Sequence, residues 1–138
     1  MTHKKLPYTS LAALMLLALS TTASAQSRST YIVQLAAEPV AGYAGTVPGY
    51  SATQPAPGTR LNTRSAAVLA YRGYLDAQQT SVTALIAGAP IVARYSTVYN
   101  GFAARLTAAE VQALKTSPLV VGVFADEARK LDTVSTPA

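Results

Sequence analysis

The chain of 138 residues has no cysteine and no tryptophan, and its only histidine, His3, lies near the amino terminus. Without cysteine it can form no disulfide bond and offers no thiolate ligand to zinc. Beyond His3 the sequence also lacks imidazole, so the rest of the chain can build neither a Ser-His-Asp nor a Cys-His site. We therefore expect a protein that is not an enzyme and that holds no metal ion or other cofactor.

Acidic residues are also few, and their positions do not suggest catalysis. Asp126 and Glu127 are adjacent, so their side chains would diverge in an extended chain instead of forming an acid/base pair. No glycine-rich phosphate-binding loop follows a predicted strand. The complete set of carboxylates is Glu38, Asp76, Glu110, Asp126, Glu127 and Asp132.

The first 25 residues have the order of a secretory signal peptide. Two lysines precede an apolar run over residues 11–19, and the small residues Ala23-Ser24-Ala25 follow it. The run has 9 residues, whereas a bilayer-spanning helix needs about 20, so an uncleaved anchor is the less favoured alternative. We predict cleavage between Ala25 and Gln26, a secreted or periplasmic protein, and no membrane attachment once the signal is removed.

The charge of the predicted mature chain is modest. Removal of Lys4 and Lys5 with the signal leaves nine basic and six acidic side chains. The basic residues are scattered from Arg28 to Lys130 and form no cluster. Nucleic-acid binding requires a concentrated basic surface, so we do not expect it here.

Hydrophobic periodicity predicts six regular elements in the order β-α-β-β-α-β. This is the order of the ferredoxin-like fold, in which right-handed crossovers place both helices on one face of a four-stranded antiparallel sheet. We therefore predict an α+β domain with one uncovered sheet face. The strands are expected at residues 31–35, 91–98, 101–106 and 119–124, and the helices at 64–86 and from Thr107 to just before Pro118.

The helices carry the expected local signals. Gly88 and Pro90 mark the end of the first helix, as a left-handed cap followed by a residue that cannot continue the helix. Thr107 and Glu110 have the spacing of a capping box at the start of the second. The apolar stripe of the first helix consists of Val68, Tyr71, Leu75, Val82 and Leu85.

Asn100-Gly101 stands between the second and third predicted strands, and this pair favours a tight hairpin turn because both residues tolerate a positive φ. Because Ala103 and Arg105 would face the uncovered side, that face is not simply apolar, and it is either a docking surface or a solvated one. Alternation in the third strand puts Phe102, Ala104 and Leu106 on one side and Ala103 and Arg105 on the other.

Residues 39–62 are rich in glycine and proline and show neither a helical nor a strand period. We interpret them as a long surface loop. Such a loop is either functional or an insertion that the fold tolerates cheaply, since the entropy of loop closure grows slowly with length. The tolerated insertion is the favoured reading.

Three segments resemble the pro-region of subtilisin-like serine proteases, the inhibitor I9 family. They are Tyr31-Ile32-Val33-Gln34-Leu35, then residues 95–107 with the run Asn100-Gly101-Phe102-Ala103-Ala104, and Val120-Val121-Gly122-Val123-Phe124 followed by Asp126. Residues 129–137 resemble the junction at which the pro-region of larger secreted subtilases meets the protease. The resemblance divides the chain into the signal peptide (1–25), a pro-domain (26–126) and an extended tail (127–138).

The resemblance implies a partner and a mode of binding. The uncovered sheet face would lie on a subtilisin-like protease, assist its folding and then inhibit it. Asp126 and Glu127 would cap protease helices, although they could equally be solvated charges at the end of a strand. The tail would enter the substrate cleft as an extended strand, with Arg129, Lys130, Leu131 and Asp132 in the unprimed subsites. The expected scissile bond follows Asp132, and a bond nearer Ala138 is the alternative.

The sequence stops at Ala138, where a protease domain would begin in the family. Two explanations stay open: a free-standing inhibitor or folding helper that acts in trans, and a piece of a longer precursor that acts in cis. The competing functional hypothesis, from another class, is a non-catalytic ferredoxin-like binding module of the cell envelope.

Overall fold

The computed structural model describes residues 26–127. The predicted order of elements is confirmed, while the predicted signal peptide (1–25) and residues 128–138 of the predicted tail lie outside the described residues. The elements are β1 (Ser29–Leu35), α1 (Ala66–Thr83) with a following 3₁₀ turn (Ala84–Ile86), β2 (Ile91–Tyr95), β3 (Gly101–Leu106), α2 (Ala108–Lys115) and β4 (Val120–Ala125).

The four strands form one sheet in the order β2-β3-β1-β4, and every neighbouring pair is antiparallel. Side chains from α1, its 3₁₀ turn and α2 pack against the same face of this sheet, so the predicted ferredoxin-like α+β fold is confirmed. The core between the two layers contains Val33, Leu35, Val82, Ile86, Phe102, Ala104, Leu106, Val111 and Leu114.

Helix α1 begins at Ser65, whose hydroxyl accepts a hydrogen bond from the amide of Val68 at 3.3 Å. The predicted apolar stripe is buried except at its end, where Leu85 is 51 % exposed and Ile86 is buried instead. The assignment of Leu85 to the stripe was wrong because the chain tightens into a 3₁₀ turn there, which has three residues per turn and rotates the next side chain inward. Gly88 follows with φ of +90°, as the predicted left-handed cap requires.

Helix α2 has the predicted capping box: the Thr107 hydroxyl accepts from the amide of Glu110, and the Glu110 carboxylate accepts from the amide of Thr107 at 2.8 Å. The guanidinium of Arg28 also contacts this carboxylate at 2.6 Å. Burial alone would raise the pKa of Glu110, but the Thr107 amide and the Arg28 guanidinium outweigh it and lower that pKa. The charged carboxylate therefore links Arg28, just before β1, to the start of α2.

Residues 39–62 have no helix or strand, as predicted, but their interpretation as a surface loop is wrong for residues 39–53, which we call the lobe. Val40 and Tyr43 are fully buried against α1. The ring of Tyr43 stacks on that of Tyr71 with centroids 3.6 Å apart. The lobe thus builds a second hydrophobic cluster on the N-terminal part of α1, whereas none of residues 54–64 is buried.

β2 and β3 pair as the predicted antiparallel hairpin, but the predicted tight turn at Asn100-Gly101 is wrong. β2 ends at Tyr95, five residues (96–100, here called the connector) link it to β3, and neither Asn100 nor Gly101 has a positive φ. Gly101 begins β3, where a Cβ atom would collide with the carbonyl oxygen of Val33 and lie 2.8 Å from Cε1 of Tyr99. Glycine is needed at this position for the close approach of two strands, and not for its left-handed conformation.

Gly101→Ala is expected to lower the free energy of unfolding by at least about 2 kcal/mol, because the new methyl group must push β1 and β3 apart. The matched control is Gly73→Ala in α1, where a Cβ atom would meet nothing within 4 Å. This second change should raise the free energy of unfolding by about 0.5–1 kcal/mol through helix propensity. Chemical denaturation of both variants measures the two values, and equal effects would contradict the close-approach explanation.

Glu110→Gln is expected to lower the free energy of unfolding by about 1 kcal/mol at neutral pH, because the Arg28 contact loses its negative partner. The folded-state pKa of Glu110 lies below its ordinary value of 4.5. Its contribution to stability is therefore complete above the unfolded-state pKa and disappears as the pH falls through the folded-state value. Urea denaturation from pH 7 to pH 3 should show the two chains converging at acid pH, and a difference that stays constant over this range would contradict the explanation.

Candidate functional site

The sheet face opposite the helices, here called the open face, is covered by no element within residues 26–127. Ile32 of β1, Tyr95 of β2 and Phe124 of β4 project from it, and Tyr99 of the connector joins them. Tyr95 is 41 % exposed and Phe124 is 54 % exposed. Ile32, Tyr95 and Tyr99 line an apolar depression of about 250 Å³. Large apolar side chains that are exposed together, without a helix above them, are typical of a protein-docking surface.

The register of the strands explains why these residues meet. Ile32 is paired with Ala103 on one side and with Phe124 on the other, so these three side chains share a face while Val33 and Phe102 point into the core. Ala103 is only 3 % exposed among its larger neighbours. The sequence predicted only Ala103 and Arg105 on the open face. With Ile32 and Phe124 added, the face is more apolar than that prediction implied.

Small residues keep the open face accessible to a flat partner. The ring of Phe124 lies over Gly122, and a Cβ atom at that position would collide with Cζ of the ring.

The rings of Tyr95 and Tyr99 meet edge to face with centroids 6.1 Å apart. Burial raises the pKa of the Tyr99 phenol, which is therefore neutral at physiological pH. The surface offers aromatic rings and hydroxyl groups without a fixed charge at its centre.

Asp126 and Glu127 lie at one end of this face, immediately after β4. The amide of Asp126 donates to the carbonyl oxygen of Thr30 at 2.9 Å, which extends the pairing of β4 with β1 by one residue. Both acidic side chains are exposed, and within residues 26–127 neither takes part in an ion pair. The chain leaves the sheet here, so the predicted cleft residues Arg129, Lys130, Leu131 and Asp132 follow directly but lie outside the described residues.

Sequence reasoning missed much of this surface. Ile32 and Phe124 were placed in strands without a face, although alternation from the core residue Val33 would have assigned both to the opposite side. Tyr95 and Tyr99 were noted only as part of a family-like run. Their meeting depends on the five-residue connector, which the predicted tight turn did not contain.

The described residues hold neither a cluster of potential metal ligands nor a membrane-spanning helix. Residues 26–127 contain no group of three or more His, Cys, Asp or Glu side chains that could hold a metal ion. Within the same range, no helix has the length and hydrophobicity needed to cross a membrane.

A ferredoxin-like sheet with one open apolar face defines a small binding domain of the α+β class. The family model for peptidase inhibitor I9 matches residues 30–132, three quarters of the sequence and nearly all of the described domain. The chain belongs to the peptidase inhibitor I9 family, whose members are propeptides that inhibit subtilisin-like proteases. No curated protein and no solved structure matches the chain.

Phe124→Ser should change the free energy of unfolding by less than about 1 kcal/mol, because the ring is largely exposed and fills no cavity. Phe102→Ala, the corresponding loss of a ring on the opposite face, should cost about 3–5 kcal/mol because it empties a fully buried position. Thermal or urea denaturation of the two variants checks this contrast. A large loss for Phe124→Ser would mean that its ring serves the fold and not a partner.

Proposed function

We propose that this protein inhibits a subtilisin-like serine protease by laying its open face on the enzyme and placing its C-terminal tail in the substrate cleft. The observation that carries the proposal is the open face itself, an apolar surface in a member of a protease-inhibitor family. Burial of Ile32, Tyr95, Tyr99 and Phe124 by a partner would remove from water the apolar area that the helices leave exposed.

The acidic pair supports a second part of the contact. Asp126 and Glu127 are exposed, close to the open face, and free of ion pairs within residues 26–127. Carboxylates in this setting can approach the positive N-termini of helices on a partner at low desolvation cost. We propose that they fix the orientation of the docked domain on the protease.

The tail completes the proposed mechanism. Because the amide of Asp126 still donates to the carbonyl oxygen of Thr30, the chain stays paired with β1 as far as Asp126, at one end of the open face. Residues 129–132 would follow as a strand that pairs with the edges of the substrate cleft. Arg129, Lys130, Leu131 and Asp132 would occupy the unprimed subsites, with the bond after Asp132 at the catalytic serine.

The same contact gives a physical route to assisted folding. A preformed face that binds only the native arrangement of protease elements stabilises that arrangement by mass action. We therefore propose that the chain also acts as a folding chaperone for the protease, in cis or in trans. Export would bring both proteins to the same compartment after cleavage between Ala25 and Gln26, which N-terminal sequencing of the exported chain can test.

Inhibition is tested by titrating a panel of purified subtilisin-like proteases with the chain that begins at Gln26. We expect stoichiometric loss of activity for at least one enzyme, followed by slow cleavage of the domain. Tyr95→Asp and Phe124→Asp should each raise the inhibition constant at least 100-fold, since a buried unpaired carboxylate opposes binding. Leu85→Asp introduces the same charge on the helical side, at similar exposure, and should leave the constant unchanged.

A second titration separates the contribution of the tail. The chain that ends after Glu127 keeps both hydrophobic clusters and the whole open face, and it should bind the protease but no longer block the cleft. Unchanged inhibition by this shortened chain would contradict the tail mechanism. If no protease in the panel loses activity to the full chain, the envelope binding module becomes the better explanation.

A further inference from the structure

The connector between β2 and β3 is held from one side by the lobe. The amide of Val40 donates to the carbonyl oxygen of Ser96, and the amide of Ala41 donates to that of Thr97, both at 2.8 Å. Val40 belongs to the second hydrophobic cluster, in which the ring of Tyr43 stacks on that of Tyr71 in α1. The lobe thus connects the backbone of the connector to the N-terminal part of α1.

A buried polar pair holds the ends of the same connector. The amide group of Gln79, on α1, donates to the carbonyl oxygen of Tyr95 at 2.8 Å and to the side-chain oxygen of Asn100 at 3.1 Å. Asn100 in turn donates to the carbonyl oxygen of Ala37 at 2.9 Å. Gln79 and Asn100 are 1 % and 3 % exposed. Buried side-chain amides with satisfied partners of this kind specify one backbone geometry, because any other leaves a polar group unpaired.

These attachments leave the tip of the connector projecting outward. Val98 is 82 % exposed, more than any other large apolar residue of the described chain. Tyr99 lines the depression of the open face and also a second groove of about 270 Å³, whose wall includes Val98 and the exposed Val121. Tyr99 therefore connects the apolar depression of the open face to the connector, at the end opposite Asp126 and Glu127, where Gln34 and Glu38 also line the groove.

We propose that the connector tip is part of the protease-binding surface and that the lobe is the element that positions it. This inference rests on the proposed function, and it assigns to residues 39–53 a role in affinity that a tolerated insertion would not have. Two contacts, the tip at one end and the acidic pair at the other, would then orient the domain on the enzyme.

The physical reason is preorganisation. A five-residue link that was free in solution would lose its conformational entropy on binding, and affinity would fall accordingly. Here the main chain of the connector is already ordered by the lobe, Gln79 and Asn100, so an exposed valine can meet a partner without a further ordering cost. A loosened lobe should weaken binding even though it lies away from the open face.

The contact is tested with Val98→Asp in the chain that begins at Gln26, measured against the protease of the panel that the unaltered chain inhibits most tightly. We expect the inhibition constant to rise at least tenfold with no change in the denaturation midpoint. The matched control is Leu69→Asp, which alters an exposed leucine of α1 and should change neither quantity.

The role of the lobe is tested with Tyr43→Ala and a rescue. This change removes the ring that stacks on Tyr71 and should raise the inhibition constant at least tenfold, with faster hydrogen exchange at the amides of Val40 and Ala41 and unchanged exchange in β1 and β3. Adding Ala41→Cys and Thr97→Cys to the same chain allows a single disulfide, since the native sequence has no cysteine. The oxidised form should regain tight inhibition, and the reduced form should not.

The outcomes separate this inference from the proposed function. If Tyr95→Asp and Phe124→Asp abolish inhibition while Val98→Asp inhibits like the unaltered chain, the inference is wrong and the proposed function stands. If the oxidised and reduced rescue forms inhibit equally weakly, the lobe acts only through stability and its positioning role is overturned. If the unaltered chain inhibits no subtilisin-like protease, both the proposed function and this inference are wrong.

Discussion

Strand β1 lies in the middle of the sheet and is hydrogen-bonded to β3 on one side and to β4 on the other. Its alternate side chains therefore have two different fates: Val33 and Leu35 are sealed under both helices, while Ile32 faces the side that no helix covers. Both crossovers run over the same face, as right-handed connections require. One-sided coverage of the sheet is the constraint from which both the core and the open face follow.

The same constraint gives the two ends of the open face different characters. At the end where β4 stops, the exposed carboxylates of Asp126 and Glu127 follow the strand, and the exposed Arg105, paired with Thr30, lies at the same end. At the other end the connector turns back between β2 and β3, and the exposed Val98 lies beside a groove that Gln34 and Glu38 also line. A partner that lies across the face meets both ends, which defines a direction as well as a site. The family assignment then supplies the class of partner, a subtilisin-like protease.

Residues 39–53 show how a segment without regular structure can still be specified. Tyr43 contributes its ring to the stack on Tyr71 and its hydroxyl accepts a hydrogen bond from the amide of Val47 at 2.8 Å. Burial and the neighbouring Tyr43, Glu38 and Tyr74 raise the pKa of Tyr71 to about 12, so the Tyr71 phenol carries no charge at physiological pH. Glycine and proline supply turns in the lobe, and aromatic side chains supply its core. The lobe and the connector share hydrogen bonds, which couples the second cluster to the binding surface.

Local patterns by themselves determined the order of elements, the capping box at Thr107 and the left-handed conformation of Gly88 after the 3₁₀ turn, because these depend on residues within one or two turns of each other. The family-like runs at 31–35 and 95–107 added the identity of the partner class. Only the tertiary structure decided that Gln79 is buried, that Asn100 bonds to Ala37 instead of forming a turn, and that the lobe is a second core. Each of these depends on contacts between residues more than ten positions apart, and periodicity along the chain carries no information about them. The ferredoxin-like order of elements was thus predictable from the sequence, whereas the shape of the open face required the packed molecule.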